Sequence, residues 1–143
     1  MFKLFTVFLN KLRPRKNILD VYTDGSHKGK WGSWAFVIVE NNQIIHESSG
    51  RVRYTDSHRM EFQAAIEALS CLVPGTHARL HSDSRVLINC ATKIKDRPNV
   101  HADQIDLLDE LISKNHICWK WVKSHSGVTY NERCDQLCIQ ARS

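Results

Sequence analysis

Two stretches far apart in the chain share one pattern, an apolar or β-branched run that ends on an aspartate. The first is Val21-Tyr22-Thr23-Asp24-Gly25-Ser26, where the run stops at the carboxylate and breaks on a glycine. The second is Leu80-His81-Ser82-Asp83-Ser84. Parallel neighbouring strands lie about 4.8 Å apart, so side by side these two would bring Asp24 face to face with Asp83. In open α/β sheets, ligands collect at the carboxyl ends of strands where the strand order reverses. Two acids meeting there need a partner of opposite charge.

The rest of the chain fits around that pair. Ile18 to Asp24, Trp34 to Glu40 and Ile44 to Arg51 are extended runs rich in Val, Ile and aromatics. Glu40-Asn41-Asn42-Gln43 supplies turn residues between the second and third, and short loops throughout imply an antiparallel meander. The period then changes. Met60, Ala64, Ala65, Ile66, Ala68, Leu69 and Leu72 recur at helical spacing, with Asp56 or Ser57 as N-cap and Pro74-Gly75 as the stop. A strand over Ala78 to Ser82, a helix from Ser84 to about Lys93 and a break at Arg97-Pro98-Asn99 follow. Next come a helix over Asp103 to Ser113 and a strand over Ile117 to Val122. Thr129-Tyr130-Asn131-Glu132 matches a capping box that opens a final helix to Arg142. The order βββ-α-β-α-α-β-α predicts an α/β fold with a mixed sheet covered by helices.

Charge divides the chain in two. Residues 1–17 carry Lys3, Lys11, Arg13, Arg15 and Lys16 and no acid, whereas the remainder is formally neutral although the whole chain is +5. In that stretch Phe2, Phe5, Phe8, Leu9 and Leu12 fall on one side of a helical wheel. Its readings are a helix packed on the domain, a membrane-surface segment, a transit peptide or a grip on nucleic acid. Residues 1–17 are therefore set apart as a basic amphipathic extension, and 18–143 as one domain. No run approaches the ~20 apolar residues of a membrane span. The cysteines, Cys71, Cys90, Cys118, Cys134 and Cys138, are odd in number without a C-x-x-C pair, which reads as reduced and mostly buried thiols in a cytosol-like compartment. Cys134 and Cys138 with His125 upstream fit no common zinc spacing.

Two further acids join the aspartates. Glu61 lies in the first turn of the first helix beside Ala64, Ala65 and Ala68, small residues that let a helix face sit close to the sheet. Asp135 lies in the first turn of the last helix. Singly, each has a plain structural reading as a cap, a turn residue or a complement to a helix N-terminus. Together they repel: unit charges 4 Å apart cost about 4 kcal/mol per pair at an effective dielectric near 20, against a domain stability of only ~5–15 kcal/mol. Protonation or cations must relieve this. All-oxygen ligands select hard ions, so Mg²⁺ or Mn²⁺ is the expected occupant, and two such ions serve in-line phosphoryl displacement. His125, in the loop Ser124-His125-Ser126-Gly127, lies within chain reach of the same site as a proton carrier.

These residues resemble the type 1 ribonuclease H family. The matching pieces are Tyr22 to Ser26, Arg59-Met60-Glu61 with Ala64 to Leu69, Ser82-Asp83-Ser84, Trp121 to Gly127, and Asn131 to Asp135. The resemblance spans about Ile18 to Ala141. It implies a ribonuclease H-like fold, with three antiparallel strands and then two parallel ones in a five-stranded mixed sheet flanked by helices. It also implies an endoribonuclease that hydrolyses the RNA strand of RNA–DNA hybrids to 3′-hydroxyl and 5′-phosphate ends. By the same resemblance Asp24 bridges two Mg²⁺ ions, Asp83 and Asp135 hold one each, Glu61 ligates a metal while sensing a ribose 2′-hydroxyl, and His125 assists product release. Hybrid contacts are expected at Gly25, Ser26, Lys28, Lys30, Ser57, His58, Arg85 and Asn131. A monomer without a small-molecule cofactor, cytoplasmic or, if the extension is a transit peptide, mitochondrial, completes the expectation.

The chain departs from the family pattern in five places, one of them a short loop after Asp24-Gly25-Ser26. Ser57 and His58 stand where two asparagines are usual, Arg85 replaces a glutamine, and Ser124 precedes His125 in place of glycine. The long basic handle of many bacterial relatives is absent, leaving Lys93, Lys95 and Arg97 in a short link. Phosphate contacts dominate such affinities, so residues 1–17 are expected to contribute to hybrid binding. The competing readings are a non-catalytic nucleic-acid-binding domain and a different nuclease on the same fold, such as a resolvase, a transposase or a reverse-transcriptase domain.

Overall fold

Asn41 and Asn42 both take positive φ, 51° and 60°, so the chain reverses within two residues and Glu40 pairs with Gln43. Such turns twist in the same sense as the strands they join. In this computed structural model, which describes residues 17–93, Arg97 and 101–143, that reversal joins β2 (Trp31–Glu40) to β3 (Gln43–Arg53). A second tight turn, with Gly29 at φ 63°, joins β1 (Leu19–Lys28) to β2. After the meander come α1 (Ser57–Ser70), β4 (His77–Ser82), α2 (Arg85–Thr92), α3 (Ala102–Ser113), β5 (His116–Trp121) and α4 (Thr129–Ala141). The sheet order is β3-β2-β1-β4-β5, antiparallel through β3, β2 and β1 and parallel through β1, β4 and β5. This is the expected five-stranded mixed sheet. The basic extension, apart from Asn17, lies outside the described residues, as does Lys95.

The apolar pattern of β2 explains the layering. In Ala35-Phe36-Val37-Ile38-Val39 both alternating sets are buried, because β2 is covered on both faces. Phe36 and Ile38 join Leu19, Val21, Leu80, Phe62, Leu69, Leu87 and Leu108 in the main core under α1, α2 and α3. Ala35, Val37 and Val39 meet Cys134, Leu137 and Cys138 of α4 on the other side. Each fully buried Leu or Phe contributes about 1.5–3 kcal/mol, so the central strands are the most firmly held part of the fold.

Several local expectations are corrected. β1 does not stop at Asp24: it continues through Gly25 to Lys28, because the antiparallel ladder with β2 runs on from Asp24–Ala35 to Lys28–Trp31. Only the parallel pairing with β4 ends early, at Tyr22–His81. Asp56 caps α1 by accepting from the Arg59 amide at 2.8 Å, so Glu61 falls in the second helical turn, not the first. At α4 the capping box does not form. Val128 is the N-cap, Thr129 enters the first turn, and Glu132 accepts instead from the Gly127 amide at 3.3 Å. Asp135 is thereby in the second turn as well.

None of the five cysteines forms a disulfide; Cys90, Cys134 and Cys138 are buried, and Cys71 and Cys118 are exposed. The thiols of Cys134 and Cys138 donate to the main-chain oxygens of Tyr22 and Asp24, at 3.3 and 3.5 Å, and burial pushes both of their pKa values up. They tie α4 to β1. Among the described residues no helix is long and apolar enough to cross a membrane.

Candidate active site

A glycine brings helix and strand into contact where the carboxylates meet. A Cβ on Gly25 would lie 2.3 Å from the Glu61 amide nitrogen and 2.4 Å from the Met60 carbonyl carbon, so only glycine admits α1 this close to β1. The Gly25 amide donates to Asp24 Oδ1 at 3.0 Å and also to Glu61 Oε1. The small residues that follow Glu61, Ala64, Ala65 and Ala68, are wholly buried and keep α1 flat on the sheet. Asp83 enters from the end of β4, at the turn into α2 that Ser84 caps by accepting from the Leu87 amide.

The result is a triad of acids. One oxygen each of Asp24, Glu61 and Asp83 lies within 4.8 Å of the others. Asp24 and Glu61 are buried, at 7% and 8% exposure. Desolvation, with the Asp83 and Asp135 charges added, pushes the Asp24 carboxyl up to about 7. Glu61 is pushed well above the usual carboxylate range, chiefly by burial and then by Asp24 and Asp83. Without a cation, this pair holds protons that free carboxylates release.

Asp83 has its own clamp. Ser124 donates its hydroxyl to Asp83 Oδ2 at 2.7 Å, and Trp121 Nε1 donates to the Asp83 carbonyl at 3.2 Å. Arg85 lies over the Trp121 ring, 4.0 Å from its centroid. Asp135 faces the same cleft from α4 but is outside the close triad, acting on Asp24 through its charge.

The four acids line an open cleft of about 350 Å³. Of the residues expected from the sequence, Asp24, Gly25, Ser26, Ser57, His58, Glu61, Asp83, His125, Asn131 and Asp135 all border it. His125 is exposed and takes φ 51° in the loop before α4. Lys28, Lys30 and Arg85 do not border the cleft: the lysines sit on the β1–β2 hairpin and Arg85 rests on Trp121. The Gly25 amide is consumed by carboxylates, and the Ser26 hydroxyl accepts from Arg142 at 3.1 Å. Arg97 of the short link braces α3, paired with Asp109 at 2.6 Å and donating to the Cys90 carbonyl. Ser84, Ser124 and Glu132 also line the cleft. Sequence reading assigned them no function, since a serine at a strand end or loop carries no signal of its own.

The donor set fits a hard cation. Its atoms are carboxylate oxygens, which suit Mg²⁺ and Mn²⁺. Glu61 Oε2 is buried with no hydrogen-bond partner, and so is Asn131 Oδ1. A buried acceptor left unpaired costs ~1–3 kcal/mol, and a cation at the triad relieves both that and the mutual repulsion.

The family model described as RNase H matches residues 16–143. Ribonuclease HI of Pasteurella multocida is 36% identical over 132 residues, covering 83% of this chain and 86% of that protein. Ribonuclease H of Francisella philomiragia is 34% identical over 141 residues, covering 89% and 92%. Among solved structures, a ribonuclease H of the halophilic archaeon Halobacterium salinarum superposes with a TM-score of 0.76 at 21% identity, over 87% of this chain and 97% of that one. LC11-RNase H1, solved in complex with an RNA/DNA hybrid, gives 0.73 at 17% identity, over 87% and 99%. The structural likenesses establish the fold; the sequence matches establish the kinship.

Proposed function

The chain belongs to the RNase H family, and from that premise we propose that it is an endonuclease cutting the RNA strand of RNA–DNA hybrids to 3′-hydroxyl and 5′-phosphate ends. The observation that carries this reading is the meeting of Asp24, Glu61 and Asp83 within 4.8 Å in an open cleft. Groups 37 and 59 residues from Asp24 along the chain are packed together against their own repulsion, which a bound cation would relieve.

Asp24, Glu61, Asp83 and Asp135 would hold a pair of Mg²⁺ or Mn²⁺ ions, which supply Lewis-acid stabilisation of the charge that builds on a phosphate under attack. The protein's own groups do the rest. Gly25 fixes the Asp24 and Glu61 carboxylates through its amide, and Ser124 fixes Asp83. Ser57 and His58 at the start of α1, with Asn131 at the start of α4, border the cleft on two sides and provide hydrogen bonds to a nucleotide lying between them. A ribose 2′-hydroxyl is the feature by which such a site tells RNA from DNA. His125, which lines the cleft, would carry a proton to the leaving oxygen. Five cysteines without a disulfide support a reducing compartment, and we propose the cytoplasm as the protein's location.

The test is incubation with labelled RNA–DNA hybrid, duplex RNA and duplex DNA, each with Mg²⁺ or with EDTA. Cleavage confined to the RNA of the hybrid and dependent on Mg²⁺ is expected. Equal cutting of duplex DNA, or cutting that survives EDTA, would overturn the reading.

A further inference from the structure

Four cations stand on the β1–β2 turn and the end of β3. Lys28 and Lys30 flank the Gly29 turn, and Arg51 and Arg53 stand on β3, where Arg53 pairs with Trp31 across the ladder. Both guanidinium groups lie over the Trp31 ring, Arg51 at 4.2 Å and Arg53 at 5.4 Å from its centroid. Arg53 also lies 5.2 Å from the ring of Tyr54, which is 77% exposed. Among the described residues none of these four cations forms an ion pair. Arg59, Arg79, Arg97 and Arg133, by contrast, each hold a carboxylate. The nearest acid in sequence, Asp56, is spent on capping α1.

Like charges stacked on one indole, with no ion pair among the described residues, invite a polyanion. The aromatic ring orients the guanidinium groups by cation–π attraction, which lowers the entropy lost when each meets a phosphate. The patch also lies on the strand that carries the site: Asp24 and Ser26 point into the cleft and Lys28 follows on the same face of β1. We propose that Arg51 and Arg53, organised by Trp31, together with Lys28 and Lys30 of the adjoining hairpin, form a second contact surface that grips the sugar–phosphate backbone of the hybrid where it leaves the cleft. This rests on the hybrid-cleaving reading of the cleft. It would supply phosphate contacts that the neutral domain otherwise lacks.

The test compares the wild-type protein with R51Q/R53Q and with the charge-keeping R51K/R53K. Binding of a fluorescent hybrid is followed by anisotropy in EDTA across a salt series, with hybrids that either fill only the cleft or extend a full helical turn beyond it. Two lost phosphate contacts should reduce the slope of log K against log salt by about 2, on the longer hybrid only. In Mg²⁺ the KM of R51Q/R53Q for the longer hybrid should rise roughly tenfold at unchanged kcat, while R51K/R53K keeps the wild-type slope. An unchanged slope in R51Q/R53Q, or an equal loss on both hybrids, would overturn the proposal. So would a loss in R51K/R53K as large as in R51Q/R53Q. Because binding is read in EDTA, an inactive wild-type protein would refute the cleavage reading alone and leave the slope to decide the patch.

Discussion

Ser124 donates its hydroxyl to Asp83 Oδ2 at 2.7 Å, joining the loop before α4 to the acid at the end of β4 across 41 residues of chain. The bond orients a candidate ligand and draws the His125 loop toward the cleft. Groups that orient a ligand typically account for ~10–100-fold in metal affinity. Ser124→Ala should weaken Mn²⁺ binding by about that factor in calorimetry with no change in fold, and Ser124→Thr should restore it. Equal affinity in all three proteins would show that Asp83 needs no such support.

Asp24 is buried and both the Asp83 and the Asp135 charges press upon it, and its loss should be the most damaging to turnover. Asp24→Asn keeps the shape but removes the charge, so Mg²⁺-dependent hybrid cleavage should fall by ~10³-fold or more. Single-turnover cleavage measures this directly. Activity close to wild type would place the chemistry elsewhere.

The same carboxyl sets a pH dependence of stability. Its pKa is near 3.8 when free and about 7 in the fold, so between those values the folded protein holds a proton that the unfolded chain releases. Stability of the metal-free protein is then full below about pH 4 as far as this group is concerned, and is lost as pH rises through 7. Thermal melts in EDTA should show Tm falling by roughly 5 °C or more from pH 5 to pH 8. Mg²⁺ should reverse the loss at the upper end, and Asp24→Asn should flatten the slope. A Tm that climbs with pH in EDTA would contradict the burial of this pair.

Gly25 has no room for a side chain. Gly25→Ala forces backbone away from backbone at Met60 and Glu61, and a shift of that kind costs roughly 3 kcal/mol or more. Chemical denaturation should report it as a lower midpoint. Cleavage should fall along with it, since moving α1 draws Glu61 out of the triad.

Much of this was legible in the residues alone, for identifiable reasons. Apolar periodicity gave the order of strands and helices, and the two runs ending at Asp24 and Asp83 gave the parallel central pair. The alanines beside Glu61 foretold its burial. What escaped depended on partners distant in the chain. The extension of β1 past Gly25 comes from its pairing with β2, and a glycine after an acid reads locally as a turn. The first turn of α4 begins one residue early, which removes Thr129 from the capping position and leaves Val128 there. Trp31 and Arg53 are 22 residues apart and become neighbours only through cross-strand register, so their stacking has no signature in either segment.

The uninterrupted course of β1 has a mechanical consequence. Because Asp24 sits within a continuous ladder and not on a hinge, its main chain is braced from both directions before any ion arrives. Selection among ions is then exercised by a stiff frame, which favours the one whose radius suits the gap and penalises larger ones that would have to prise the ladder open.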